Sequence, residues 1–242
     1  MSVEQRPAFY ALARGGWRDY VTLLHPPYTL WHLSYVVVGA ALAPELPLNR
    51  LLWGLAAFAL ALGVGAHALD ELNGRPLRTA IPDRVLIALA VVSTGAATAI
   101  GLGAAFAWTL WLLPFVAFGA FLVAAYSLEL FRGRFHSDLW FALGWGSFPV
   151  LTAYVGAAET LRLEVLFAAA FAACLSFAQR RLSTPVRNVR RRASAISGTI
   201  SYRDGREEPI APETLTRAPE AALQALTVAV VTLAAALLAL RL

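Results

Sequence analysis

The feature that most constrains this chain is a series of apolar runs, each close to the ~20 residues a helix needs to cross a bilayer. The stretch LLWGLAAFALALGVGA (51–66), for one, carries no charge at all. Charged residues make up 14% of the chain, well under the roughly 25% of a soluble domain. Mean hydropathy is +0.62, so the chain reads as an integral membrane protein. The runs predict about seven spans, at 29–46, 51–70, 85–105, 107–127, 139–157, 163–179 and 220–240. His32 interrupts the first, which Pro44 and Pro47 close. Gly101 and Gly103 mark a short turn between the third and fourth. The fold class expected is all-α: a polytopic membrane helical bundle forming one integral membrane domain over 1–242.

Orientation follows from the arginines, because the chain has no lysine. One side of the predicted bundle receives Arg6, Arg14, Arg18, Arg75, Arg78, Arg84, Arg132 and Arg134, then nine more between Arg180 and Arg217. The other side receives Arg50, Arg162 and Arg241. The positive-inside rule therefore puts the N-terminus in the cytoplasm and the C-terminus outside. The basic balance reflects topology, and no nucleic-acid partner is expected. The N-terminal MSVEQRPAFYALARGGWRDY lacks the apolar core of a signal peptide, so the first span is expected to be retained. Cys174 lies alone in an apolar run, which excludes an intrachain disulfide.

The one long hydrophilic stretch, 180–219, predicts a cytoplasmic basic loop. Ser183-Thr184-Pro185 reads as a helix start. Asp204-Gly205, amid alternating residues, reads as a type I′ hairpin.

The chemistry concentrates in HALDELNGRPLRTAIP (67–82), at the end of the second span. On a helix His67, Asp70 and Glu71 fall at i, i+3 and i+4 and so project from one face. Ionisable groups at membrane depth are costly, which makes Asp70, His67 and Glu71 the candidate catalytic and metal-ligating set. A polar cap at the water line is the competing explanation. His136 and Asp138 are candidates to add ligands from the next connection on the same side. Arg180, Arg181, Arg187, Arg190 and Arg191 offer bidentate guanidinium contacts to phosphate, although such arginines also serve topology and headgroup contact. His25 and His32 each read most simply as packing residues.

These pieces resemble the UbiA superfamily of intramembrane prenyltransferases, which are bundles of about nine spans with a cavity open to the cytoplasm. The family's first aspartate-rich motif, NDxxDxxxD, ends the second span and is followed by RPL. Here AHALDELNGRPL stands there, with Arg75-Pro76-Leu77 matching. HPPYTLW (25–31) is similar to the start of the family's first span. YSLELFRGR (126–134) falls where the family has a Tyr followed by basic residues, and GWGSFPVLTAY (144–154) resembles its fifth span. The match runs in order over about 17–190. In register, however, Ala66-His67 replaces the Asn-Asp pair and Gly74 the last Asp. The second acidic motif is replaced by FAQRRLSTPVRNVRRR (177–192), which has no acid, and the last two spans are missing.

The resemblance implies a transferase acting on a prenyl diphosphate or other lipidic substrate in a cytoplasm-facing cavity. It implies a divalent metal, Mg²⁺ in the family, although a His–Asp–Glu set suits a transition metal better. Asn73, Arg75, Arg78, Tyr126, Arg180, Arg181 and Arg187 become the expected substrate-binding residues, with a membrane lipid or isoprenoid as partner. Loss of the second acidic motif supports the alternative, a non-catalytic bundle that binds a lipid, pigment or membrane-protein partner. A transporter ranks last, since no acid or Arg interrupts the middle of a span.

Overall fold

The computed structural model describes residues 6–242 and shows a mostly helical bundle with one short two-stranded hairpin. A short α1 (Trp17–Leu23) leads into α2 (Pro26–Ala41). The long helices are α3 (Leu48–Leu72), α4 (Asp83–Ala107), α6 (Asp138–Ala158), α7 (Leu163–Arg192) and α8 (Pro212–Ala239), with a shorter apolar α5 (Leu112–Ser127) before α6. Five of these are long and apolar enough to cross a membrane, as expected of an integral membrane protein.

The core joins α2, α6, α7 and α8 through Trp31, Tyr35, Val150, Tyr154, Val165, Ala169 and Val230. Small residues allow that closeness: a Cβ on Gly39 would collide with the backbone of Val150, and one on Gly146 with that of Ala172. Inside the core Trp31 Nε1 donates to Tyr35 Oη at 2.6 Å, so both polar tips are satisfied. His32 is a packing residue with a specific task. Pro149 has no N–H to offer the Trp145 carbonyl one turn back, and His32 Nδ1 donates to that carbonyl at 2.8 Å.

Three helices widen into π-turns, at Ala59–Ala66 in α3, Ala142–Ser147 in α6 and Asn188–Arg192 in α7. Each adjoins residues singled out above: His67 follows the first, Trp145 lies in the second, and Arg190 and Arg191 lie in the third.

The structure corrects several boundaries. Residues 180–192 are not loop but the end of α7, which runs unbroken through Pro185. Thr184 Oγ1 and Ser183 Oγ donate back to the Arg180 carbonyl at 2.8 and 3.2 Å, so these hydroxyls extend a helix and do not start one. The helix α4, expected as the third span, likewise runs through Gly101 and Gly103, and the turn falls at 108–111. The hairpin exists, with β1 (Thr199–Ser201) paired antiparallel to β2 (Glu207–Pro209). Its turn is not type I′, because Gly205 has φ 85° and Asp204 is not left-handed. Tyr202 N–H bonds to Arg206 O at 2.9 Å, which makes a three-residue connection closed by a left-handed glycine.

Candidate functional site

The HALDEL segment delivers its polar residues in different directions. Asp70 and Glu71 are consecutive, so ~100° of helix rotation separates them. Glu71 is fully buried and turns toward the loop that follows. Its carboxylate accepts from Leu77 N at 2.9 Å, Thr79 N at 2.8 Å and Thr79 Oγ1 at 2.9 Å. Arg75, at φ 52°, serves the same loop by donating to Ile81 O at 2.6 Å and pairing with Asp83. Asp19 of α1 closes the arrangement from outside, accepting from Gly15 N at 2.9 Å and Ala80 N at 2.8 Å. Arg78 is exposed and reaches the Arg191 carbonyl at 3.4 Å. Asn73, also exposed, donates to Ser127 O at 3.2 Å. Of the expected ligand-holding set, Glu71, Arg75 and Asn73 thus tie down backbone.

Asp70 faces inward, toward α5 and α7. The charges that act on it are those of Arg187, Arg180 and Arg191, and Ser127 lies beside it. Tyr126 shares the neighbourhood, with Arg180, Asp70, Arg187 and Asp138 around it. The Arg180 guanidinium lies 6.0 Å from the Tyr126 ring and 5.6 Å from that of Phe141, within cation–π range. Asp138 is held by Arg180 at 3.3 Å and Arg181 at 3.2 Å. Arg181 itself is exposed, against Phe177, and stands outside the chamber. Arg187 is different. It donates to Thr184 Oγ1 at 3.1 Å, and among the described residues no carboxylate comes within ion-pair distance of it.

Several polar atoms around this chamber have no partner. Tyr126 is 3% exposed and Gln179 2%, yet Tyr126 Oη and Gln179 Oε1 make no hydrogen bond, while the Ser127 hydroxyl faces the Asp70 carboxylate. A buried group left unpaired costs roughly 1–3 kcal/mol, so Tyr126 Oη, with Asp70, Arg180 and Arg187 around it, is a candidate contact for a polar ligand or a water.

The outer wall is aromatic. The His25 and His67 rings stack with centroids 4.1 Å apart and planes 10° from parallel. His25 Nδ1 shares a hydrogen bond of 2.8 Å with Tyr10 Oη, and Tyr10 meets Tyr28 edge-on at 5.5 Å. Burial, then the adjacent His67 ring and the Arg191 and Arg187 charges, holds the His25 imidazole well below its usual 6.5. Burial also pushes the Tyr10 phenol up. The N-terminal segment is tied to the end of α7 by Arg191, which donates to Pro7 O at 3.1 Å, and by Arg190, which donates to Arg6 O at 3.4 Å. Arg190 is otherwise locked in a two-bond pair with Glu220 at 2.6 and 2.8 Å. On the opposite wall His136 stacks on Tyr126 at 4.4 Å, and its imidazole is lowered first by burial.

Below the polar groups lies an apolar cavity of about 110 Å³, lined by Phe58, Leu62, Phe115, Val123, Trp145 and Phe148 among others. Trp145 joins the two levels, with its ring 4.4 Å from that of Tyr126. The site is amphipathic: a cluster of cationic and polar side chains beside a hydrocarbon-lined space.

The donor set does not fit the expected metal. Mg²⁺ calls for hard oxygen ligands, but Glu71 is committed to the loop and Asp138 to two arginines, which leaves Asp70 alone. His67 Nδ1 is engaged with Gly63 O at 3.1 Å, and no group of three His, Cys, Asp or Glu among the described residues could hold an ion. Sequence reasoning missed Tyr10, Ser127 and Gln179 and set His25 aside. Gln179 had a signal, as a lone polar residue in an apolar run just before the Arg pair. Tyr10 had none, since only the fold lays it across His25. Comparison of the chain with protein-family models, with curated proteins and with solved structures gave no match.

Proposed function

We propose that the protein is a UbiA-like membrane transferase that takes a prenyl diphosphate, or a lipid with a similar anionic head, into this chamber. In this reading α2 to α8 are seven spans, the N-terminus is cytoplasmic and the C-terminus outside, and the chamber opens to the cytoplasm. The observation that carries the reading is the unpartnered Tyr126 hydroxyl, set among Arg180 and Arg187 directly above the apolar cavity. A guanidinium without a carboxylate and a phenol without an acceptor together suit phosphate oxygens. The resemblance in order and sidedness over 17–190 supports the same substrate class.

Each residue has a part in the transfer. Arg187 and Arg180 hold the diphosphate, and Tyr126 Oη donates to one of its oxygens. As the allylic carbon–oxygen bond breaks, its electron pair stays on the diphosphate, where the arginines stabilise the added charge. The acceptor's nucleophilic atom bonds to that carbon, and the proton it releases passes to Asp70. His25, His67 and Tyr10 close the chamber against water.

The test is to titrate a prenyl diphosphate against purified protein in Mg²⁺ and in EDTA, then repeat with Arg187→Gln. Binding should survive EDTA, weaken with salt, and drop about tenfold or more in the variant. Strict Mg²⁺ dependence with no effect of the substitution would overturn this reading. A second reading, a bundle that binds such a lipid without transferring it, is favoured by the single uncommitted carboxylate. Tight binding with no diphosphate released in the presence of acceptors would select it.

A further inference from the structure

The connection from α5 to α6, residues 128–137, folds back on the bundle. α5 ends in a double closure, with Leu130 N–H reaching the Ala125 carbonyl at 3.0 Å and Glu129 N–H that of Tyr126 at 3.2 Å, and Glu129 left-handed at φ 50°. The chain is left-handed again through Phe131, Arg132 and Gly133, where Gly133 N–H bonds to Glu129 O at 2.8 Å. Residues with a Cβ disfavour that conformation, so the turn holds Glu129, Phe131 and Arg132 against their own preference. The reversal lays two aromatic rings on α5. Phe131 and Phe135 stand 6.2 and 5.0 Å from Phe121, ring to ring, and Trp140 of α6 meets Phe135 at 4.9 Å.

The outward side of this turn combines two kinds of side chain. Leu128, Leu130, Phe131 and Leu139 are exposed, Phe131 to 63%. Phe121 of α5 is exposed too, so the patch continues the apolar surface of that helix past its end. In the same stretch Arg132 and Arg134 are exposed, and among the described residues neither has a carboxylate within ion-pair distance. The acids nearby are engaged elsewhere: Glu129 faces His136 at 3.9 Å, and Asp138 is held by Arg180 and Arg181. The turn leads directly into α6, one of the helices long enough to cross a membrane. Apolar side chains with free guanidiniums at such a boundary have the make-up of an interfacial lipid contact.

We propose that the 128–139 turn is a binding surface for anionic phospholipid in the adjoining leaflet. Arg132 and Arg134 take the lipid phosphate, and Leu128, Leu130, Phe131 and Leu139 lie against its acyl chains. Arginines without counter-charges call for an anion, and the apolar side chains beside them call for an anion that carries hydrocarbon. Free phosphate meets only the first requirement. Occupancy of this surface reaches Tyr126 by direct contact, because His136 at the end of the turn stacks on the Tyr126 ring at 4.4 Å and lies 3.1 Å from its carbonyl oxygen. The inference stands apart from whatever the chamber itself receives.

The test titrates fluorescent phosphatidylglycerol, and separately fluorescent phosphatidylcholine, against the protein in an uncharged detergent. The unaltered protein should prefer phosphatidylglycerol about tenfold or more. Arg132→Gln with Arg134→Gln should remove that preference, and Phe131→Ser should weaken both lipids severalfold. Arg203→Gln with Arg206→Gln takes the same charge from the exposed hairpin and should bind as the unaltered protein does. Amide exchange over 128–136 in phosphatidylcholine nanodiscs should slow severalfold when phosphatidylglycerol is added, and not in the Arg132 and Arg134 variant. Equal affinity of the unaltered protein for the two lipids overturns the proposal. So does an equal loss in the turn and hairpin variants, which would show net charge acting without a site. Full affinity in folded Phe131→Ser would leave a phosphate contact alone and overturn the lipid assignment.

Discussion

The loop over 74–82 and the chamber beside it meet at one helix end, where Glu71 serves the loop and Asp70 the chamber, yet they treat polar groups in opposite ways. In the loop, Glu71, Asp19 and Arg75 are each matched to backbone atoms or a counter-charge. In the chamber, Tyr126 and Gln179 are buried without partners, and Arg187 has no acid. Two carboxylates adjacent in the chain thus do unlike work. A satisfied buried carboxylate fixes one conformation; an unsatisfied set keeps its polar atoms free to take a partner. Proximity in sequence to a motif is therefore a poor guide to role, and hydrogen-bond completeness is a better one.

The sharpest way to break that contrast is to remove each carboxylate in turn. Glu71→Ala strands two buried N–H groups and should destabilise the protein by roughly 2–4 kcal/mol, seen as a large thermal shift. Asp70→Asn should leave the melting temperature nearly unchanged while abolishing transfer. If the two variants melt alike, the division between loop and chamber is wrong. A smaller effect is expected at Asp19, whose partners are only partly buried. Asp19→Ala should cost about 1–2 kcal/mol, with hydrogen exchange rising locally around Gly15 and Ala80. Protection unchanged at both amides would show that Asp19 does not clamp the loop.

The mildest probe is acid. The folded state holds His25 neutral, below the ~6.5 of the unfolded chain, so protons bind preferentially to the released form. The stabilisation it contributes is complete above that value and declines as pH falls below it. Exchange at residues 6–24 should increase between pH 7 and 5, and His25→Phe should flatten the response. An unaltered pH profile in that variant would remove His25 as the cause.

Much of the bundle was legible because apolar runs are a coarse signal that survives local irregularity. The ends of α7 and α8 were not, since Arg180 to Arg192 look like loop until their contacts are known. The guanidiniums of Arg180, Arg187 and Arg190 all have neighbours inside the protein, which lets a charged stretch remain helical. The inward-facing Asp70, Tyr126, Arg180 and Arg187 could be singled out from sequence, because they stand at helix ends on one side. Glu71 and Arg75 could not be told apart from them by spacing. Their partners are backbone amides and carbonyls six to eight residues away, whose direction only the folded turn defines.

The π-turns carry a last consequence, concerning phase. Each arises where one residue more than a regular helix needs is accommodated within a turn. Removing a single residue from Ala59–Ala66 would let that stretch relax to ordinary pitch and rotate everything beyond it by about 100°. His67 and Asp70 would then swing off the chamber although no side chain in it had changed. The bearing of the site is set by backbone geometry, so a one-residue length change within an apolar run is enough to disassemble it.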